Sequence, residues 1–183
     1  MIRTDRLLLR RWTDADLEPF AAMNADPIVM QHMQGPMSDE ASDAFANRIE
    51  AHWDEHGWGL WAVEVPGVAS FIGYVGLWPA DYVAPGMVEV GWRLATSHWG
   101  NGYATEAARA SLRFGFEDVG LEEIVSFTVP QNIRSRRVME RIGLLRDSAG
   151  DFDHPRVDPV AYPHLVAHVM YRLTRAEWGA GVA

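Results

Sequence analysis

The fold is decided by a stretch that reads Val88-Glu-Val-Gly-Trp-Arg-Leu-Ala95 and continues as Thr96-Ser-His-Trp-Gly-Asn-Gly-Tyr-Ala-Thr-Glu-Ala107. Its first half predicts a strand, and its second half opens a helix that runs to about Glu117. Between them Gly100 and Gly102 bracket Asn101, so the backbone of this turn can adopt conformations that a Cβ excludes. The stretch therefore predicts a strand, a glycine turn and a helix in succession.

The glycine turn lies at a helix N-terminus, where the first amide N–H groups have no carbonyl partner within the helix. The helix dipole adds partial positive charge there, so such a turn can hold a phosphate or pyrophosphate. One face of the helix carries mostly small side chains, which lets it lie close to a sheet: Ala104, Ala107, Ala108, Ser111, Leu112 and Gly115. A tight turn without any ligand is the alternative, because Gly-x-Gly alone is a weak signal.

The remaining elements follow from turn residues and helix-start signals. We expect strands at residues 6–12, 58–65, 70–77, 123–129 and 168–173, and helices at 13–25, 26–33, 38–56 and 132–144. Pro66-Gly67 joins the second and third strands as a hairpin, and residues 79–86 form a loop. The segment with Asp147, Asp151 and Asp153 is predicted to be an acidic loop. Nothing in the pattern divides the chain, so we expect one domain over residues 1–183.

These motifs together resemble the GCN5-related N-acetyltransferases, and within them the branch of the ribosomal-protein N-terminal acetyltransferases. The resemblance rests on residues 89–94 and 98–107, on Asn132-x-x-Ser135 and on Glu140-Arg-Ile-Gly-Leu144, with support from residues 4–10 and 73–77. It implies an α/β (α+β) fold: one domain with a mixed, mostly antiparallel central sheet that is splayed at the cofactor site and flanked by helices. It also implies an acetyl-coenzyme A-dependent acyltransferase that acts on a primary amine.

The resemblance also assigns roles to residues. Main-chain groups of Arg93, Leu94 and Ala95 would pair with the pantetheine arm, and the Leu94 N–H would stabilise the oxyanion. Asn132 and Ser135 would lie near the pantetheine and the thioester. The pyrophosphate would be held by the turn that consists of Trp99, Gly100, Asn101, Gly102, Tyr103, Ala104 and Thr105. The helix after Asn132 has no tyrosine, which many members use to protonate the thiolate, so Ser135 or a water molecule is left for that role.

Glu89 is the predicted general base, because deprotonation of an amine needs a carboxylate and Glu89 precedes the cofactor segment in the same strand. A carboxylate on the surface of a strand is the alternative. No covalent intermediate is needed, which suits a chain without cysteine and without a Gly-x-Ser-x-Gly elbow. A second class of function stays open, a non-catalytic acyl-coenzyme A-binding domain that keeps the pocket and lacks the acid-base groups.

The formal net charge of −9 argues against a nucleic-acid partner, since phosphate backbones need a basic surface. Five arginines nevertheless follow the second motif strand: Arg134, Arg136, Arg137, Arg141 and Arg146. They could attract the 3′-phosphate of coenzyme A, for which we favour Arg137, or form a solvated face paired with Glu140. No apolar run approaches a membrane span and no signal-peptide core is present, so we expect no membrane partner and a cytoplasmic protein. A homodimer is a candidate assembly.

The acceptor pocket is expected between residues 30–35, the loop at 78–86 and the acidic tail loop. A negative surface suits a cationic amine, whether a small molecule or a peptide N-terminus. Asp151, Asp153 and His154 match no metal-site spacing, so no metal is predicted. A dinucleotide fold is disfavoured, because its fingerprint needs a further glycine. The tryptophans at 58, 61, 78, 92 and 99 could stack on a ligand, although large aromatic residues more often lie in a core.

Overall fold

The computed structural model describes residues 1–181, which contain eight strands and five α-helices. The strands are β1 (Ile2–Arg3), β2 (Leu8–Arg10), β3 (Leu60–Val65), β4 (Ala69–Pro79), β5 (Val88–Leu94), β6 (Glu123–Thr128), β7 (Leu145–Asp153) and β8 (Ala167–Thr174). The helices are α1 (Leu17–Ala25), α2 (Asp39–His56), α3 (Tyr103–Phe114), α4 (Ile133–Arg141) and α5 (Arg175–Gly179). None of the helices in residues 1–181 has the length and apolarity that a membrane span requires.

The eight strands make one sheet in the order β1-β2-β3-β4-β5-β6-β8-β7. Strands β1 to β4 pair in antiparallel fashion, as do β6 with β8 and β7 with β8. Strands β5 and β6 are parallel, and Glu89 opposite Val125 is the pair that sets their register. The predicted α/β class with a mixed, mostly antiparallel sheet and flanking helices is therefore confirmed.

The chain divides into two compact units, which are described separately. The first consists of Met1–Leu77 and Gly91–Ser111. Its core contains fully buried aromatic and aliphatic side chains, and the indole N–H groups of Trp12 and Trp53 both donate to the carbonyl oxygen of Leu60, at 2.9 and 3.0 Å. Helix α2 begins at the predicted cap, where the Ser38 hydroxyl accepts from the Ala41 N–H, and it ends at Gly57, whose φ of 72° favours glycine.

The second unit consists of Trp78–Val90 and the chain from Leu112 onwards. After α3 the chain makes one wider π-helical turn over Gly115–Val119 and then enters β6. Strand β6 pairs with β8 over six consecutive residues, from Glu123 opposite Thr174 to Thr128 opposite Val169. Helix α4 follows β6, and α5 closes the described chain with a capping box between Thr174 and Glu177.

Two sequence predictions are wrong. Residues 26–33 form turns and not a helix, because the Asp26 carboxylate accepts from the Ile28 N–H at 2.8 Å and from the Thr96 hydroxyl at 3.2 Å. The predicted acidic loop is instead strand β7 at the edge of the sheet. Two of its three carboxylates are neutralised, Asp147 by Arg172 and Asp151 by Arg146, so an acidic sequence can still pair as a strand.

Several boundaries also move. The strand predicted at 6–12 is shorter in the structure and spans Leu8–Arg10. Two elements were not predicted from the sequence, the short strand Ile2–Arg3 and the helix Arg175–Gly179. Of the tryptophans considered as ligand stackers, Trp61 is 1% exposed and lies in the core, whereas the others are half-buried.

Candidate functional site

The predicted phosphate turn lies at the start of α3 in the first unit. Gly100 and Gly102 both have positive φ angles, 79° and 80°, which side chains with a Cβ rarely adopt. The Asn101 amide donates to the carbonyl oxygens of His98 and Trp99, each at 3.2 Å, so the turn is closed by its own side chain. A Cβ built on Gly100 would meet no atom within 4 Å, which means that the outer side of the turn is open.

Arg6 braces this turn from the strand region at the N-terminus. Its guanidinium donates to the Asn101 carbonyl at 2.9 Å and to the Glu106 carboxylate at 2.7 Å, and it lies over the Tyr103 ring at 5.0 Å. Glu106 also accepts from the Thr4 hydroxyl at 2.6 Å and from the Arg6 main-chain N–H at 2.9 Å. Although burial opposes the effect, these contacts lower the pKa of Glu106, so a carboxylate in the first turn of α3 is held charged and paired.

The C-terminal end of β5 leads into the turn. The Leu94 carbonyl accepts from the Trp99 indole N–H at 2.7 Å, and the Ala95 N–H donates to the Ile72 carbonyl at 2.9 Å. The Arg93 guanidinium donates to the Asn24 side chain at 2.6 Å and lies over the Phe45 and Tyr74 rings. The side chains of Arg93 and Trp99 therefore fix the strand end and the turn, and the cofactor role predicted for these residues concerns their main chain.

In the second unit, Asn132 and Ser135 open helix α4 as predicted. The Asn132 side chain caps the helix by accepting from the Ser135 N–H at 3.2 Å, and its amide donates to the Thr128 hydroxyl at 3.0 Å. Asn132 thus has a structural role that already occupies its side chain, whereas no hydrogen bond of the Ser135 hydroxyl occurs among the described residues. Arg137 is exposed on the same helix.

The arginines after β6 do not act as one group. Arg136 donates to the Tyr171 hydroxyl at 3.2 Å and to the Pro130 carbonyl at 3.0 Å. Arg146 pairs with Asp151. Glu140 accepts from the Tyr171 hydroxyl at 3.1 Å. It is the residue that was expected to pair with these arginines if they formed a solvated face. At least two of the five arginines are therefore engaged within the second unit.

Glu89, the predicted base, lies in β5 opposite Val125 of β6, within the second unit. Burial raises the pKa of Glu89 from its ordinary value of 4.5 to about 8. Part of the residue keeps solvent contact, and within residues 1–181 no hydrogen bond or ion pair reaches the carboxyl group. A carboxyl group that is desolvated without a partner titrates near neutral pH, which is the property that a general base needs.

Tyr82 lies close enough to Glu89 for the Glu89 charge to affect its ionisation. Burial and the Glu89 carboxylate together raise the pKa of Tyr82 well above its usual range, and the nearby Arg156 opposes them. The Tyr82 ring lies 5.2 Å from His154 and 6.4 Å from Phe127. It belongs to a group of rings, here called the aromatic cluster, which consists of Tyr82, Phe127, Phe152, His154 and His168.

Sequence reasoning predicted part of this arrangement and missed the rest. The loop at 78–86 and the acidic tail segment were both expected at the acceptor pocket. The ring of Tyr82 in that loop lies 5.2 Å from the ring of His154, which directly follows Asp153 of the tail segment. Phe127 and His168 were not singled out, because each is one aromatic residue in an otherwise ordinary strand. Their alignment on β6 and β8 was the missing signal, and it requires the register of those strands.

Metal ligands were not predicted. Within the part of the chain that the structure describes, no three histidine, aspartate or glutamate side chains are grouped so that they could hold a metal ion.

Comparison with known proteins identifies the family. The sequence model of the acetyltransferase (GNAT) domain matches residues 6–145. The uncharacterized N-acetyltransferase YnaD of Bacillus subtilis is 31% identical, over 80% of this chain and 83% of its own length. The crystal structure of a GNAT-family acetyltransferase from Bacillus anthracis has 27% identity and a TM-score of 0.79, and covers 96% of this chain and 99% of that one.

A spermidine N-acetyltransferase from Vibrio cholerae, solved with CoA and spermine, shares the fold at 18% identity. Its TM-score is 0.74, with 96% of this chain and 99% of that one covered. The match of the family model over most of the chain, together with the relative at 31% identity, establishes that this chain belongs to the GNAT acetyltransferase family.

Proposed function

We propose that the chain transfers an acetyl group from acetyl-coenzyme A to a primary amine, either a small molecule or a protein N-terminus, by direct attack in a ternary complex. The observation that carries this proposal is the carboxyl group of Glu89, whose pKa of about 8 belongs to a group without a protein partner. A structural carboxylate gains from an ion pair, whereas a base must be free to accept a proton. The residues 1–183 would act as one catalytic domain.

The phosphate turn supports the choice of co-substrate. Its two glycines keep their positive φ angles, its outer side is open, and it ends where the first amides of α3 begin. These residues fit a pyrophosphate group, because a helix N-terminus supplies both N–H donors and partial positive charge. In this role we expect the main chain from Trp99 to Thr105 to bind the pyrophosphate, and Arg137 to contact the 3′-phosphate.

The thioester would supply an acyl group that is already activated. In the transfer the amine nitrogen bonds to the acetyl carbon, the carbon–sulfur bond breaks, and the proton lost by the amine passes to Glu89 directly or through water. The Leu94 N–H would donate to the developing oxyanion, and Ser135 would donate a proton to the leaving thiolate. Its hydroxyl is available for that role, since Asn132 bonds the main chain of Ser135 and not its side chain.

The test is release of the free thiol of coenzyme A from acetyl-coenzyme A in the presence of a panel of primary amines, between pH 6.5 and 9.5. We expect amine-dependent release that increases through pH 8. Saturable binding of acetyl-coenzyme A without turnover on any amine would favour the non-catalytic binding domain instead. Membership of the ribosomal-protein branch and a homodimer both stay predictions, which N-terminal peptides in the panel and light scattering would examine.

A further inference from the structure

The aromatic cluster in the second unit is made of five rings from four segments of the chain: the loop after β4, strand β6, the end of β7 and strand β8. Phe127 of β6 lies 5.1 Å from Phe152 of β7 and 6.0 Å from His168 of β8. His154 lies 4.8 Å from His168 and 5.2 Å from Tyr82. All five side chains are half-buried, so the rings contact one another and still reach the surface. Large aromatic residues that serve only the core, such as Phe116 at 1% exposure, are fully enclosed in the same unit.

The two histidines of the cluster are neutral at pH 7. Burial, followed by the nearby His168 and Arg156, lowers the pKa of His154 to about 4, and burial lowers that of His168. The hydrogen bond at His154 agrees with this state, since its Nδ1 accepts from the Arg156 N–H at 3.2 Å. His168 Nδ1 lies 3.1 Å from the Val166 carbonyl, a contact that opposes the effect of burial on the pKa of His168 without cancelling it. The cluster therefore presents an uncharged aromatic surface.

Charges next to the cluster disfavour a polycation. The Arg156 guanidinium lies 4.0 Å from the centre of the Tyr82 ring. The carboxylates Asp147 and Asp151 of β7 are paired with Arg172 and Arg146. Glu89, which acts on the pKa of Tyr82, is a single carboxyl group. A polyamine or aminoglycoside carries several ammonium groups and is favoured by several carboxylates on one surface, whereas Arg156 places a positive charge on this one and Asp147 is paired with Arg172. Asp153 is exposed between Phe152 and His154, but successive side chains of a strand point to opposite faces, so Asp153 lies on the other face of β7 from Phe152.

We propose that the aromatic cluster binds the body of the acceptor, and that the acceptor is a monoamine with an apolar or aromatic side group. Its amino group would lie at Glu89 and its side group against Tyr82, Phe127 and the neutral imidazoles. Rings of this kind contribute a large contact area and favourable edge-to-face packing without requiring charge on the ligand. The inference rests on the proposed function, because it assigns the acceptor half of the same site.

The experiment compares the kcat/KM for acetyl transfer to 2-phenylethylamine, methylamine and spermidine. The three amines share the reacting group and differ in the body, which is aromatic, minimal or polycationic. We expect wild-type protein to prefer 2-phenylethylamine to both others by about tenfold or more, the range that apolar pockets give. A preference for spermidine, or equal use of 2-phenylethylamine and methylamine, would overturn the inference.

Substitution of Phe127, which contacts all four other rings of the cluster, tests whether the amine preference arises there. Phe127→Leu is expected to lower the kcat/KM ratio of 2-phenylethylamine to methylamine by about tenfold, with little change for methylamine, which cannot reach the ring. Phe152→Leu is the second variant in case the first fails to fold. Phe116→Leu, which removes a ring that stacks on Trp178 in the same unit, is the control and should keep the wild-type ratio. An equal loss for both amines in the two cluster variants would contradict the assignment.

Failure of the inference and failure of the proposed function are distinguishable. If acetyl-coenzyme A binds and is turned over with spermidine or methylamine as the better acceptor, acetyl transfer stands and the aromatic acceptor is wrong. If no amine in the panel releases the thiol, the proposed activity itself is wrong, and the acceptor assignment is wrong with it.

Discussion

The phosphate turn and the aromatic cluster differ in how they are built. The turn occupies consecutive residues between β5 and α3, and the groups that we propose to bind the pyrophosphate are main-chain amides, which two glycines and the Asn101 side chain hold in place. The cluster collects side chains from residues 82 to 168, and its properties come from burial and mutual contact. The first kind of site tolerates changes of side chain that respect the backbone. The second depends on each side chain and on the register of three strands.

The largest effect is expected at Glu89, the proposed base, which lies near Tyr82 of the aromatic cluster. Glu89→Gln keeps the size of the side chain and removes the proton acceptor, so kcat/KM for amine acetylation at pH 8 should fall by about 100-fold or more. Since the pKa of Glu89 is raised to about 8, wild-type kcat/KM should rise with pH through that value and then level off. The variant should lack this inflection. Glu122→Gln, an exposed carboxylate paired with Arg175, is the matched control and should keep it.

The pH dependence of stability tests the raised pKa of Glu89 independently of activity. Because the pKa of Glu89 is higher in the folded protein than its ordinary 4.5, the unfolded chain loses this proton first as the pH rises. The contribution of Glu89 to the free energy of unfolding should therefore decrease between about pH 4.5 and pH 8 and then stay constant. Urea unfolding of the wild type and of Glu89→Gln across this range would measure the difference. Identical pH dependence in the two proteins would contradict the raised pKa.

The second largest effect tests the backbone-built region. Gly100→Val forces a β-branched residue into a positive φ of 79°, and Gly67→Val does the same at 76° in the turn between β3 and β4. In both positions a Cβ meets no atom within 4 Å, so the strain is comparable, at about 1–2 kcal/mol or more. Both variants should lose similar stability, but only Gly100→Val should weaken acetyl-coenzyme A binding, by about tenfold. Calorimetric titration measures it, and equal affinities would remove the turn from the site.

The sequence predicts the locally built turn well and the aromatic cluster poorly. The strand, turn and helix from Val88 to Phe114 could be predicted because local rules act on neighbouring residues: glycine at positive φ and a helix face of small side chains. Asn132 at the start of α4 followed from the same rules. The hairpin of β3 and β4 could be placed from Pro66-Gly67 for this reason as well.

The failures arise where distant residues override local signals. Strand β7 looked like a loop because it is rich in aspartate. The pairing of Asp151 with Arg146, and of Asp147 with Arg172 of β8, cannot be seen in the local pattern. Residues 26–33 looked helical because Asp-Pro often starts a helix, yet the Asp26 carboxylate is taken by Ile28 and Thr96. Glu89 could be chosen as a base by position, but its raised pKa could not, since burial depends on the whole fold.

A smaller effect tests how the turn is held. Glu106 lies in the first turn of α3, where its negative charge would oppose a bound pyrophosphate if Arg6 did not neutralise it. Arg6→Ala should weaken acetyl-coenzyme A binding by about two- to fivefold, the range of a partly exposed ion pair. Arg6→Ala combined with Glu106→Gln should recover part of the affinity, because the unpaired charge is removed. Arg3→Ala, an exposed arginine nearby, controls for net charge. Absence of recovery in the double variant would reduce the role of Arg6 to its bond with Asn101.

The smallest effect concerns the neutral imidazoles, and it separates the two regions by their response to pH. Burial, together with His168 and Arg156, lowers the pKa of His154 to about 4, so the unfolded chain takes up this proton first as the pH falls below 6.5. The contribution of His154 to stability is therefore present above pH 6.5 and is lost as the pH falls towards 4. His154→Phe keeps a ring and cannot be protonated, so it should lose less stability between pH 7 and pH 5 than the wild type. Urea unfolding at the two pH values measures this, with His164→Phe, an exposed imidazole, as the control. A variant that loses as much stability as the wild type would mean that the cluster already admits the charge, and that its surface is not the neutral one that an apolar acceptor requires.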